Sequence, residues 1–481
     1  MLGNYGVFSK IKSLNYMDLL IFLIPLIVFS YYLHVYYPGI MVYDSYNQLH
    51  QIAIGKFNNW HPFCHTFIEM ICLNVYRSPS SVAILQIITF STFWMIICKY
   101  NRDDSQKTNL SFILQLIITL TIALIPINAI FSINLQKDIL FSYFLMFLCF
   151  LMEILIDNEG KAGYPLAIAV SIVMAFVAQL RTNGMILVIV FLIVLPVWIY
   201  IKNKDFKLSI IIPALSILFI LLIASLNIVY DVKDNQNDPL RDIVPHMLAD
   251  YSMSLDLDST DQIMLHKLMG KQDLDKYYNI YFKDPTRNHI VNRTVWKNDK
   301  NVYIDMAVKY SLRHPSHFIG YMFNSAPLVW DITRGDDWSS NYGVIDMDYQ
   351  KQRFYSKNNV SPATDFDNAS AVNVGTSEYQ NLNHLVNAAN DNLVLDTLFN
   401  SPALYMYLAL IILLALYWIT RLNDLWLVYL PNMLNILIVF VSIPAQQNRY
   451  LYPNLLVCYL LIIMLVRVLI KRKSEAESGV E

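Results

Sequence analysis

The sequence predicts an all-α polytopic membrane protein of about ten transmembrane helices, with an extracytoplasmic domain of mixed or α-rich structure. Three observations carry this. The 481-residue chain is 56% hydrophobic and only 15% charged, too apolar for a soluble fold. Ten apolar runs each approach the ~20 residues that a spanning helix needs. Lysine and arginine gather in alternate connecting segments, the bias that orients a chain in a membrane.

The runs lie near residues 17–36, 81–98, 110–127, 139–156, 164–180, 185–201, 208–230, 402–420, 425–443 and 451–470. No small-residue cleavage site follows the first, which is expected to be a retained helix. With the N-terminus inside, fourteen cations fall in inner segments, among them Lys10, Lys12, Lys99, Arg102, Lys107 and Arg467. The short outer turns carry only Lys137, Arg181 and Arg449. Both termini are therefore expected in the cytoplasm. Five cysteines lie in or beside apolar runs, with none between 231 and 400. Buried or lipid-facing thiols fit that placement, and a Cys64–Cys72 disulfide is the alternative.

This gives an N-terminal membrane module (1–230), an extracytoplasmic domain (231–400) and a C-terminal membrane module with a cytoplasmic tail (401–481). The middle domain holds 16 Lys and Arg against 23 Asp and Glu. Within it, YIDMAVKYSLRHPSHFIGYMFNSAPLVW predicts an amphipathic helix, then a Pro-started helix turning back toward the membrane. TRGDDW (333–338) pairs two acids, Asp336 and Asp337, where turn chemistry is the expected role.

Residues 38–80 form the first outer loop. A helix over 42–54 would set Asp44, Gln48 and Gln51 on one face and Leu49, Ile52 and Ala53 largely on the other. Gly55 would end it, and Pro62 would start a second short helix. Asp44 at an enclosed site could accept a proton from an attacking hydroxyl; its other role would be to cap the helix start.

Lys137 in SINLQKDILF, Arg181 in VAQLRTNGMIL and Arg449 in IPAQQNRYLYPN each sit at an outer helix end. Asp138, Asn183 and Tyr450 are their polar neighbours. Ionisable groups at membrane depth point to function, and three from separate hairpins could converge on one lipid phosphate. Snorkelling to headgroups is the alternative. His61, His65 and Glu69 recur every four residues, a spacing that can stack metal ligands. Pro62 makes that face irregular, and capping or core hydrogen bonds account for the same three residues.

The ordered set DSYNQLHQIAIGKFNNWHP, LQKDILFS, LRTNGMIL and PAQQNRYLYP resembles a poorly characterised bacterial branch of the GT-C glycosyltransferases. The likeness covers the membrane core, with only HPSHFIGYMFNSAPLVW matching in the middle domain. It implies a GT-C-like fold and inverting transfer of a sugar from a polyprenyl-phosphate donor, outside the bacterial cytoplasmic membrane. The acceptor would be an envelope glycan, lipid or protein; membrane lipids are expected partners and nucleic acid is not. The resemblance carries the base role to Asp44 and donor-phosphate contacts to Lys137, Arg181 and Arg449. Gln48, Gln51, His61, Asp138, Asn183 and Tyr450 are the supporting candidates. Many members have a second acid after the first, where this chain has Ser45, so a metal held by paired acids is in doubt. A flippase or transporter of lipid-linked oligosaccharides would bury charges along a path through the spans. Mid-span charges are nearly absent here. A polymerase of lipid-linked units and a catalytically inert scaffold are further readings.

Overall fold

A computed structural model describes residues 14–102, 110–161, 163–235, 238–333, 335, 346–371 and 374–477. Lys10, Lys12 and Lys107, and the acids Asp336 and Asp337, lie outside the described residues. Among the described residues the chain is helical, with isolated β-bridges and no strand.

All ten apolar runs are helical, but they are not equivalent. Among the described residues eight helices are long and apolar enough to cross a membrane: Tyr16–Val35, Ser80–Tyr100, Lys137–Asp157, Thr182–Asn203, Phe206–Val229, Pro402–Thr420, Asn423–Ser442 and Asn448–Glu477. The run expected at 110–127 is instead a pair, Leu110–Leu124 and Pro126–Ser132, bent by 69°, and counting it as one span gives nine. Pro126 has no N–H to continue the ladder, so the helix breaks there. Tyr164–Leu180 is a shorter apolar helix. The five cysteines are free and buried, so the alternative of a Cys64–Cys72 bond does not hold.

In chain order, α1 is Tyr16–Val35, α2 Tyr43–Ile54, α3 Phe63–Val75, α4 Ser80–Tyr100 and α5 Lys137–Asp157. Next come α6 (Tyr164–Leu180) and α7 (Thr182–Asn203). Charged groups on these helices gather at the two ends of the bundle. At one end Asp18 receives Lys99 and Arg102, each at 2.8 Å, and Arg467 bonds Glu153 at 3.0 Å and Asp157 at 2.7 Å. At the other lie Asp44, Lys137 and Arg449. The 21 residues of α5 separate the ends by ~30 Å at 1.5 Å per residue. Apolar side chains such as Ile27, Ile189, Ile193 and Leu221 face outward from the helices between, as lipid contact requires.

The segment 231–400 is built in two parts. Residues 239–313 close a core of their own around Leu248, Tyr251, Trp296 and Tyr310. Met347, Phe354, Phe366 and Val386 join the main core of the bundle instead. The helix that begins at Pro315 does turn back onto the apolar helices: Phe323 meets Phe440 at 5.2 Å, and the Tyr407 hydroxyl donates to the Trp330 carbonyl at 3.0 Å.

Two helices meet closely at Gly184, in the first turn of α7. A Cβ there would come within 1.9 Å of the Val177 carbonyl oxygen on α6 and 3.0 Å of Phe141 on α5. Gly184→Ala is therefore expected to part these helices. A loss of about 1–3 kcal/mol, the usual cost of overpacking, should appear as a lower thermal midpoint of the purified protein. An unchanged midpoint would contradict that packing.

Candidate functional site

The site starts from a backbone pairing. Ile40 N–H donates to the Ile133 carbonyl at 2.8 Å, and Leu135 N–H donates back to the Ile40 carbonyl at 3.0 Å. Gly39 permits this, at φ +112°, because a Cβ there would lie 2.8 Å from Leu135 and 3.0 Å from the Ile133 oxygen. The pairing brings the start of α2, with Asp44, beside the start of α5, with Lys137. Ser45 locks it: its hydroxyl donates to the Leu135 carbonyl at 2.5 Å from a fully buried position. A carboxylate at 45 would face that carbonyl, so a second acid does not fit the packing.

The helix expected at 42–54 forms as Tyr43–Ile54 and stops at Gly55. Its N-cap residue is Val42, not Asp44, which corrects the capping alternative. Asp44 lies in the first turn and bonds to Arg449 instead.

The charged groups form one chain of contacts. Arg181 Nε lies 3.0 Å from Asp138 Oδ1, and Asp138 Oδ2 lies 3.6 Å from Arg449 Nη1. The same Nη1 is 3.5 Å from Asp44 Oδ2. Asp44 Oδ1 faces His61 Nε2 at 3.8 Å, and His61 Nδ1 meets Lys137 Nζ at 2.9 Å. Tyr450 braces both arginines. Its ring lies 4.8 Å from the Arg181 guanidinium and 5.0 Å from that of Arg449, its hydroxyl accepts from Arg449 Nη2 at 3.2 Å, and its carbonyl accepts from Arg181. Three cations from separate connections, and the acid of a fourth, do converge.

Protonation follows from these contacts. An ammonium only donates, so His61 Nδ1 is the acceptor from Lys137 and the ring proton sits on Nε2. Burial, then Lys137, hold His61 down at about 3, so the imidazole is neutral near pH 7. Burial alone would raise Asp44. The neighbouring His61, Arg449 and Lys137 outweigh it and keep the carboxyl well below the usual carboxylate range. Since His61 is neutral, Arg449 and Lys137 are the lasting charges on Asp44. Two buried donors of this network, His61 Nε2 and Arg449 Nε, have no hydrogen-bond acceptor among the described residues. Orphaned buried donors are uncommon and mark a place for an acceptor.

Asp44 and Arg449 line a cavity of about 670 Å³ together with Ile40, Ile130, Phe131, Arg287 and Arg353. The Asp44 side chain is 26% exposed and that of Asp138 only 2%, so of these two acids Asp44 is the one open to the cavity.

Other expected residues are placed differently. Gln48 is buried and donates to Thr66 at 2.8 Å, while Gln51 joins Asn47 and the Asn58 N–H. Both tie α2 to its neighbours and neither lines the cavity, since the face they share turns toward α3 and the following loop. Asn183 is half-buried in the first turn of α7 and also stands off the cavity. His65 and Glu69 pair with each other at 3.5 Å, fully buried. Among the described residues no three His, Cys, Asp or Glu side chains are gathered to hold a metal ion.

Sequence reasoning missed how Arg449 is held. The preceding segment is gripped by the 231–400 module: Gln446 donates to the Tyr281 and Ser325 carbonyls at 2.9 Å each and accepts from Leu328 N–H at 3.3 Å. Lys283, itself buried, caps the helix before it through the Val441 carbonyl at 3.0 Å. The pair of glutamines in PAQQN, polar residues beside an apolar run, was the available signal.

No family model matches the chain, and neither does any curated protein or solved structure.

Burial holds three imidazoles, His61, His65 and His246, at about 3. A histidine depressed in the folded state is protonated first in the unfolded one. Below about 6.5 the unfolded chain thus binds more protons, and stability falls as pH drops. His61→Gln keeps an acceptor for Lys137 and removes one such proton. It is expected to flatten the fall in unfolding free energy between pH 6 and 4 by about 1.4 kcal/mol per pH unit. An unaltered slope in denaturation series would show that His61 is not held neutral.

Proposed function

We propose that the protein is a membrane glycosyltransferase moving a sugar from a polyprenyl-phosphate donor to a cell-envelope acceptor, with Asp44 as general base. The observation that carries the reading is an ionised, accessible carboxylate beside unsatisfied donors on His61 and Arg449, at a cavity between the ends of the apolar helices and the polar 231–400 module. Supporting it, Arg449 and Lys137 supply positive charge where a phosphate oxygen would gain negative charge on departure. Arg181 acts at one remove, by holding Asp138 and Tyr450 against Arg449.

In the proposed step the acceptor hydroxyl gives its proton to Asp44 as its oxygen bonds the anomeric carbon. The bond from that carbon to the donor phosphate breaks, and its electron pair leaves on the phosphate, beside Arg449, His61 and Lys137. Attack opposite the leaving group inverts the anomeric centre. The charge bias of the short loops supports an extracytoplasmic position for this end of the bundle, with both termini inside the bacterial cytoplasmic membrane. A transporter of lipid-linked oligosaccharides is less well supported. The ion pairs cluster at the two ends of the helices, ~30 Å apart, and do not line a path between them.

Asp44→Asn is the direct test. The variant should insert, fold and still bind a polyprenyl phosphate, while sugar transfer in purified membranes falls by about 10²–10⁴. Near-normal transfer would remove Asp44 from the base role. Arg449→Lys should keep part of the activity and raise the donor KM, because one point charge replaces a two-pronged donor.

A further inference from the structure

Tyr43 immediately precedes Asp44, and its ring carries two cations. The Arg353 guanidinium lies 5.7 Å from the ring centre and the Lys357 ammonium 5.6 Å. Both come from one helix, Met347–Asn358, which is fixed against Tyr43. Phe354 meets the same ring edge-on at 5.4 Å, and Asn358 donates to its hydroxyl at 3.0 Å. Gln350, Arg353 and Lys357 follow one another at i, i+3 and i+7, a single helix face, and all three line the cavity with Asp44.

The charges on this wall are unbalanced. Segment 231–400 is acidic as a whole, with 16 Lys and Arg against 23 Asp and Glu. Toward the cavity its described residues present Arg287, Arg293, Arg353 and Lys357 against a single carboxylate, Asp284. Arg287 is engaged by Asp242 at 3.0 Å and Asp284 at 2.7 Å. On the same helix Lys351 pairs with Asp348, whereas Arg353 and Lys357 have the Tyr43 ring and no ion pair among the described residues. Like charges on successive turns repel, and Arg293 stands at the first residue of its helix, the positive end of the dipole. An anion held between Arg353 and Lys357 relieves their repulsion.

We infer that the acceptor whose hydroxyl meets Asp44 carries a phosphate, bound by Arg353 and Lys357. This rests on reading Asp44 as the base and Arg449 as part of the donor site. The cavity then holds two anions: the donor phosphate at Arg449, and an acceptor phosphate at Arg353 and Lys357, both of which line it with Asp44. Arginine offers two parallel N–H donors to phosphate oxygens, and lysine adds a point charge.

The test uses the full chain in phosphatidylcholine nanodiscs, titrated with two probes, glycerophosphoglycerol and a short-chain polyprenyl phosphate. Both Arg353 and Lys357 are exposed, so R353A/K357A and R353E/K357E should fold normally, as thermal unfolding will verify. The alanine pair is expected to weaken glycerophosphoglycerol about tenfold or more and leave polyprenyl phosphate within about twofold. The glutamate pair should abolish saturable phosphodiester binding. R449A should do the reverse, weakening polyprenyl phosphate alone. Unchanged binding of glycerophosphoglycerol to R353E/K357E would overturn the inference, and so would an equal loss of both probes. Replacing part of the phosphatidylcholine by phosphatidylglycerol separates sources: competition assigns the phosphate to a lipid headgroup, and its absence to a soluble or polymeric phosphodiester. If polyprenyl phosphate ignores R449A while the phosphodiester still depends on Arg353 and Lys357, the donor assignment fails and the anion site stands.

Discussion

Asp138 is the constraint from which the site follows. It is 2% exposed, and it faces Arg181 at 3.0 Å and Arg449 at 3.6 Å. Two guanidinium groups could not be buried side by side without an anion between them. Losing one partner of a buried pair typically costs about 3–5 kcal/mol, because the charge left behind cannot return to water. The sequence of contacts Arg181, Asp138, Arg449, Asp44 alternates in sign, so each charge has an opposite neighbour. His61, neutral, ends the alternation and lets Lys137 approach without facing a second bare cation.

That network lies where several connections meet, and each is anchored by hydrogen bonds outside the network. The Ile40–Leu135 pairing and Ser45 hold the acid against the start of Lys137–Asp157. Gln446 and Lys283 hold the approach to Arg449 against the polar module. His50 bonds Asp367 at 2.8 Å and Tyr46 bonds the Ala369 carbonyl at 2.8 Å, fixing the other side of the Asp44 helix. The module is therefore part of the site's frame, because it sets where both Asp44 and Arg449 stand.

Much of this was legible in the chain. Apolar runs of about twenty residues declare themselves by composition, and an isolated cation at a helix end stands out against them. Lys137, Arg181 and Arg449 were visible for that reason, and Asp44 by its place after the first run. What failed did so for physical reasons. Gln48 and Gln51 share a helix face with Asp44, yet amides satisfied by Thr66 and Asn58 serve packing as well as a ligand. The bend at Pro126 leaves composition unchanged. Arg353 and Lys357 lie some three hundred residues from Asp44, in polar text where cations are ordinary. Only the fold reveals that their helix lies on Tyr43.

The low pKa of Asp44 stands against a base role, since a weakly basic carboxylate accepts a proton poorly. The contacts resolve this on the proposed reading. Arg449 and Lys137 depress Asp44 only while they face it, and a donor phosphate would draw on the same two cations. A phosphate seated between them would loosen their hold on the carboxylate, and the water it displaced would no longer solvate the charge, raising its proton affinity further. The resting ion network would then keep Asp44 ionised and unreactive until a donor arrives. Base strength would appear only where there is a sugar to transfer.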